Sequence, residues 1–154
     1  MLFSKTRLFN YFREVSKLDE RVLFKIVFSR DQIKEEIIYL NTQGQLFDKG
    51  INSRGERLDD LRGYGYTIST KEIKEAKGQP TNRITLKDTG EFYRSFRVQV
   101  KPGEIVITAD PIKEDTDLVE QWGIDILGLT EQSIKKLKPT IIENYKQYIK
   151  GLLG

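Results

Sequence analysis

The stretch that decides the fold class runs from Phe92 to Ala109. It reads Phe92-Tyr93-Arg94-Ser95-Phe96-Arg97-Val98-Gln99-Val100, then Lys101-Pro102-Gly103-Glu104, then Ile105-Val106-Ile107-Thr108-Ala109. Apolar and polar residues alternate over much of the first part, as they do in a half-buried strand. Pro102 and Gly103 take the two central positions of a type II turn, and Glu104 to Ala109 is the returning strand. The stretch therefore predicts an antiparallel hairpin.

Helical patterns lie on both sides of this hairpin. Residues 16–44 carry apolar side chains near helical spacing, with a capping-box pattern at Ser29–Gln32 and stop signals at Asn41 and Gly44. Near the C-terminus, Thr130 can cap a last helix, which Pro139 should kink or break. The apolar positions of that helix are Ile134, Leu137, Ile141, Tyr145, Tyr148 or Ile149, and Leu152. We expect an α+β fold: an antiparallel β-sheet packed against N-terminal helices and a C-terminal amphipathic helix.

The remaining segments have weaker patterns. Leu46 to Leu58 predicts a short hairpin that turns at Asn52-Ser53-Arg54-Gly55. Residues 59–82 lack a sustained period and are expected to form a long loop, with a helical turn at Thr70–Ala76. Lys113 to Trp122 resembles a short acidic helix ended by Gly123. Residues 1–15 contain several aromatic side chains and are expected to form a docked helix or an arm.

The composition restricts the chemistry. The 154 residues are enough for a single domain, 1–154, and the chain has neither cysteine nor histidine. Ser-His-Asp and Cys-His catalysis and thiolate metal sites are therefore excluded. The net charge of +3 is spread along the chain, which does not favour nucleic-acid binding as the main role. We expect no cofactor, no metal, no signal peptide and no membrane-spanning segment.

The triplet Asp88-Thr89-Gly90 has two incompatible interpretations. It is the active-site triplet of aspartic proteases, and Ile126-Leu127-Gly128 before a helix matches a later motif of the retroviral type. Two such chains would each supply one aspartate, and the pair would share a proton. Lys87 and Glu91 argue against this interpretation, because the buried protease loop normally has an apolar residue before the triplet and Ala or Ser after it.

The other interpretation is structural. Asp88 and Thr89 would cap a turn, Gly90 would supply a special backbone angle, and Phe92 and Phe96 would belong to the core. The acidic residues between Glu114 and Glu120 lack the spacing of a calcium loop and are expected to form a solvated helix face. On this interpretation, the chain has no catalytic residues and is not an enzyme.

The order of three motifs is similar to that in the tail-completion, or head–tail connector, family of tailed bacteriophages. The motifs are residues 86–96, Leu118-Val119-Glu120-Gln121-Trp122-Gly123, and Ile126-Leu127-Gly128-Leu129-Thr130 before a terminal helix. The segments 50–55, 64–70 and 78–80 resemble a branch from phages of Bacteroidetes-type hosts. The resemblance spans residues 40–154, and the insert that the family carries between Gly123 and Ile126 is missing here.

This resemblance implies a non-enzymatic virion protein. Its copies would form a ring that joins the portal or connector to the tail, with DNA only as cargo passing through, and the ring would assemble in the host bacterial cytoplasm. Rings need heterologous interfaces that close, and we expect the long loop to supply one through Tyr64, Tyr66, Gln79 and Pro80. Two alternatives stay open: a retropepsin-like aspartic protease acting through Asp88, and a prophage-encoded adaptor that binds a protein partner outside the virion.

Trp122, the only tryptophan, ends the predicted acidic helix. We expect it to be a core residue packed under the start of the terminal helix. The alternative is an exposed anchor for a neighbouring subunit, since tryptophan is enriched at interfaces.

Overall fold

The computed structural model describes residues 20–153, so the predicted N-terminal arm lies outside the described residues. The fold is mixed α+β, as predicted, with helices before and after two small antiparallel sheets along the chain. In chain order the helices are α1 Glu20–Phe28, α2 Asp31–Tyr39, a π-helix Leu40–Phe47, α3 Leu58–Arg62, α4 Ile68–Ala76, α5 Glu91–Arg94, α6 Leu118–Trp122, a 3-10 helix Ile124–Ile126, and α7 Glu131–Leu153. The strands are β1 Arg97–Lys101, β2 Glu104–Thr108, β3 Ile112–Lys113 and β4 Thr116–Asp117.

The N-terminal helices break where the sequence predicted, but not by the predicted mechanism. α2 follows α1 after Ser29 and Arg30, and its N-cap is Arg30 with no side-chain cap, so the capping box predicted at Ser29–Gln32 is wrong. The stop predicted at Asn41 or Gly44 is also wrong, because the chain continues as a π-helix to Phe47. Asn41 is fully buried and its side chain bonds a distant loop, which leaves it no role in ending the helix.

The predicted hairpin is confirmed, but its first strand starts later than expected. β1 and β2 pair in antiparallel register from Arg97–Thr108 to Lys101–Glu104, around the predicted Pro102-Gly103 turn. Residues 91–94 are a helical turn and not strand. Phe92 and Phe96 are four residues apart, a spacing that also places two side chains on one helical face. Their rings pack edge to face with centroids 5.1 Å apart.

The segment around the predicted loop is more regular than expected. Ile51 and Arg57 form one antiparallel bridge around the 52–55 turn, which is less than the predicted hairpin. Residues 59–82 connect distant parts of the fold but contain most of α3 and all of α4, so they are not a structureless loop. The predicted helical turn at 70–76 is part of α4, which Thr67 caps by accepting a hydrogen bond from the amide of Thr70.

The acidic segment is divided between two elements. Residues 112–117 form the small β3–β4 hairpin, so the helix predicted from Lys113 begins only at Leu118. Asp117 causes this start, since its carboxylate accepts hydrogen bonds from the amides of Val119 and Glu120 at 2.8 and 3.0 Å. Gly123 ends the helix as predicted.

The terminal helix α7 is confirmed. Thr130 caps it by accepting a hydrogen bond from the amide of Ser133 at 3.1 Å. Pro139 lies within α7 and does not interrupt it, so the predicted break is absent. Pro139 is exposed, and its missing amide removes one backbone hydrogen-bond donor from the helix.

The core has two adjoining clusters. The first contains eight buried side chains from the 46–126 part of the chain: Leu46, Leu58, Ile84, Phe92, Phe96, Leu118, Trp122 and Ile126. The second joins α1, α2, β1 and α7: Val27, Phe28, Ile33, Ile37, Leu40, Val98 and Leu137. Ile38 and Ile107 pack against both clusters and connect them.

Candidate functional site

The Asp88-Thr89-Gly90 triplet forms a turn that starts α5. Gly90 has a φ of +87°, and an added Cβ there would lie 2.8 Å from a guanidinium nitrogen of Arg94. Thr89 accepts a long hydrogen bond, 3.4 Å, from the amide of Glu91. Gly90 therefore provides the left-handed backbone angle from which the helical turn begins.

Asp88 has a different structural role from the predicted cap. Its carboxylate pairs with Lys77 at the end of α4 and, at 3.1 Å, with Lys113 in β3. Hydrogen bonds from Lys77 and then Lys113 lower the pKa of Asp88 to about 2. Asp88 thus joins α4 to the β3–β4 hairpin as a permanently ionised group near neutral pH.

Two of the four predicted interface residues have internal hydrogen bonds. The hydroxyl of Tyr66 accepts a hydrogen bond from the amide of Thr85 at 2.9 Å, and Gln79 donates to the carbonyl of Asp88 at 2.9 Å. Lys74, which is buried, donates to the side chain of Gln79 and to the carbonyl of Lys87. Tyr66 and Gln79 therefore help to fix α4 against the turn that precedes α5.

Tyr64 is the exposed member of the predicted set, while Pro80 is half-buried. The guanidinium of Arg62 lies 4.6 Å from the centre of the Tyr64 ring. Three further apolar side chains in this part of the chain are exposed: Leu61, Ile68 and Ile73. We call the four residues Leu61, Tyr64, Ile68 and Ile73 the α3–α4 surface. Single exposed apolar residues are ordinary, and what distinguishes these four is that they lie within thirteen positions of the sequence.

A cleft of about 360 Å³ with a mixed polar and apolar lining lies beside Asp88. Its basic residues are Arg62, Lys74, Lys87 and Lys113. Lys74 already donates two hydrogen bonds, and Lys113 is paired with Asp88. Among residues 20–153, no three acidic, histidine or cysteine side chains are grouped so as to hold a metal ion.

A larger apolar groove of about 850 Å³ lies between β2 and α7, and the sequence analysis missed it. It is lined by Phe28, Ile37, Ile105, Val106, Ile107, Thr108, Ala109, Pro111, Asp117, Val119, Ile124, Leu127, Gly128, Leu129, Ile134, Leu137 and Ile141. Apart from Asp117 and Thr108, the lining residues are apolar, and Gly128 has no side chain. A sequence signal existed in the uncharged run Ile105–Ala109, which has no polar residue except Thr108.

β2 borders this groove as an edge strand. It pairs with β1 on one side, and no described strand pairs with its other side. All of Ile105–Ala109 are half-buried, without the buried-exposed alternation of a strand covered on one face. The open edge and the apolar lining together make the groove a candidate binding surface for another polypeptide.

Trp122 belongs to the core, as predicted. It is 8% exposed and packs in the first cluster with Phe92, Leu118 and Ile126. Leu127 also contacts this cluster, whereas none of its members comes from α7. The indole therefore supports the loop that leads to the terminal helix, and not the helix itself.

No helix among residues 20–153 is long and apolar enough to span a membrane. No family model, curated protein or solved structure matches the chain.

Proposed function

We propose that this chain is a structural virion protein whose copies form a ring at the neck or tail of a tailed bacteriophage, between the portal or connector and the tail. The three motifs behind the family resemblance support the proposal. They meet in one place: Phe92 and Phe96 from the first motif, Leu118 and Trp122 from the second, and Ile126 from the third pack in the same core cluster. The three motifs therefore belong to one structural unit.

The observation that carries the proposal is the presence of two different apolar surfaces on one chain. One is the groove between β2 and α7, and the other is the α3–α4 surface. A ring is built from heterologous contacts, in which one patch of a subunit meets a different patch of the next. The groove lining and the α3–α4 surface share no residue, so one subunit can use both at once, each against a different part of a neighbouring copy.

The native mass tests this proposal. Light scattering on the full chain over a range of concentrations should give a closed species at a fixed multiple of 17.9 kDa, and imaging should show rings. A species that grows without limit would indicate an open filament. A chain that stays monomeric at every concentration would overturn the proposal.

The protease alternative has less support. The carboxylate of Asp88 is paired with Lys77 and Lys113, and a second aspartate that shared a proton with it would have to replace both lysines. The adaptor alternative uses the same surfaces as the ring. A stable one-to-one complex with a single host protein, with no self-assembly, would favour the adaptor.

A further inference from the structure

The groove between β2 and α7 exposes more apolar surface than an isolated subunit needs. Ile124 and Ile134 lie at it with 63% and 46% of their surface accessible, whereas Leu137 deeper in it is 4% exposed. Burying the exposed part of these isoleucines is favourable, so a matching apolar segment would gain affinity by binding there.

The backbone of β2 adds polar groups to the same site. Lys101 and Glu104 flank the two-residue turn as a hydrogen-bonded pair, and such pairs alternate with non-bonded ones along an antiparallel ladder. Ile105 and Ile107 therefore direct their amides and carbonyls to the open edge. Protein edge strands are usually protected by lysine, proline or a bulge, and Ile105–Ala109 contains neither lysine nor proline.

We propose that residues 1–19 of a neighbouring copy bind in this groove. The inference rests on the proposed ring. Those residues contain nine large apolar side chains: Met1, Leu2, Phe3, Leu8, Phe9, Tyr11, Phe12, Val15 and Leu18. Aromatic side chains bury the largest apolar areas and are the usual anchors of such interfaces.

The course of α1 leaves residues 1–19 within reach of a neighbouring copy in the proposed ring. Phe28, the last residue of α1, lines the groove, and no other residue of α1 does. Glu20, at the start of α1, is about 12 Å from Phe28 along the helix axis. Residues 1–19 thus join the helix at the end away from its own groove. Nineteen residues can span up to roughly 60 Å, which is enough to reach the next subunit.

The charges near the groove favour one orientation of the bound segment. Residues 1–13 carry Lys5, Arg7 and Arg13 and no acidic residue. Asp117 lines the groove and Asp110 directly follows Ala109 of the β2 side in sequence, whereas α7 carries Lys135 and Lys138 next to its lining residues Ile134 and Leu137. The basic side chains should therefore lie toward the β2 side, with the apolar ones against α7.

Cysteine pairs test the contact directly, because the chain has no cysteine of its own. Full-length Phe9→Cys and Ile124→Cys chains, each with a different tag, are mixed and oxidised. We expect mixed disulfide dimers well above the level given by Phe9→Cys with Tyr39→Cys, a control at a tyrosine that is 60% exposed and outside the groove. Equal yields from the two mixtures would overturn the inference.

The double variant Phe9→Cys/Ile124→Cys identifies the occupant. If it closes a disulfide within one chain while the two-chain mixture gives none, the chain's own segment fills the groove and the inference is wrong. If the wild-type chain forms rings by light scattering and the mixture still gives no excess, only this inference fails. A chain that never assembles and never cross-links would overturn the proposed function as well.

A matched pair on α7 gives an independent readout. Ile134 and Ile142 are 46% and 50% exposed on the same helix, and only Ile134 lines the groove. In the mixed cross-linking assay, Ile134→Asp on the Ile124→Cys chain should lower the yield of mixed dimers at least about tenfold. Ile142→Asp on the same chain should leave it within about twofold. Similar losses from both substitutions would contradict the proposed site.

Discussion

Asn41 accepts a hydrogen bond from the backbone amide of Gly128 at 2.7 Å, although 87 residues separate the two in sequence. The same side chain donates to the carbonyl of Ile126. Gln45, one π-helical turn later, donates to the carbonyl of Gly128 and accepts from the amide of Thr130. The buried side-chain amides of Asn41 and Gln45 thus hydrogen-bond four backbone groups between residues 126 and 130, where the chain enters α7.

Replacing Asn41 by Leu should lower the free energy of unfolding by about 1–3 kcal/mol. The change keeps the volume but leaves the amide of Gly128 and the carbonyl of Ile126 without their partner, and unpaired buried groups are costly. Urea denaturation measures the loss. Gln43→Leu is the control, because Gln43 bonds only Asp48 at the surface, and it should change stability by less than about 0.5 kcal/mol.

Asp88→Asn should change how stability depends on pH. The carboxyl has its pKa lowered from 3.8 to about 2 in the folded chain, so it stabilises the fold fully above about pH 4 and loses that effect as pH falls toward 2. The difference between wild type and variant should therefore shrink over this window. Since the side chain is about one-third exposed, the full effect should stay below about 1 kcal/mol. Urea denaturation from pH 2 to 7 records it.

The same variant separates the structural and protease interpretations. If Asp88 is structural, neither chain cleaves peptides at acid pH. Pepstatin-sensitive cleavage by the wild type that Asp88→Asn abolishes would overturn the structural interpretation of Asp88 and its pairs with Lys77 and Lys113.

Trp122→Ala should destabilise the fold by roughly 3–5 kcal/mol, because it empties a large volume in the first core cluster. As the only tryptophan, Trp122 also reports its own environment. We expect blue-shifted emission and poor quenching by acrylamide in the native chain. Red-shifted, easily quenched emission at native conditions would contradict the core position.

Tyr64 and Tyr66 should respond differently although two residues separate them. Tyr64→Asp changes a side chain that is 57% exposed, so the melting temperature should hold while ring assembly weakens. Tyr66→Phe removes the acceptor for the amide of Thr85 and should cost about 0.5–1.5 kcal/mol without affecting assembly. Thermal melts and light scattering separate the two. If both variants assemble as well as the wild type, the α3–α4 surface is not part of the interface.

The sequence allowed the α+β class, the β1–β2 hairpin and α7 to be predicted, because each has a local signal in its period or its turn. The start of β1 was misplaced because the Phe92–Phe96 spacing satisfies a helical turn as well as a strand pattern. The helix predicted from Lys113 was too long, since the capping effect of Asp117 depends on a backbone geometry that composition does not reveal.

The candidate site was harder to predict than the fold. Tyr66 and Gln79 were expected at an interface, and their internal partners, Thr85 and the carbonyl of Asp88, are set by tertiary contacts. The groove gave no local signal beyond an uncharged strand, because its lining comes from six separate parts of the chain between Phe28 and Ile141. Such a surface exists only after the elements have packed.

Asn41 and Gln45 hold the 126–130 segment entirely through main-chain atoms. The hydrogen bonds that set the path of the chain there do not involve the side chains of Leu127 and Leu129, which line the groove and also pack against the two core clusters. Gly128 between them is constrained by its neighbour, because a Cβ at that position would lie 3.0 Å from the Cβ of Ser53. Apolar substitutions at residues 127 and 129 can therefore change the shape of the binding surface while the main-chain hydrogen bonds keep the segment that presents it in place.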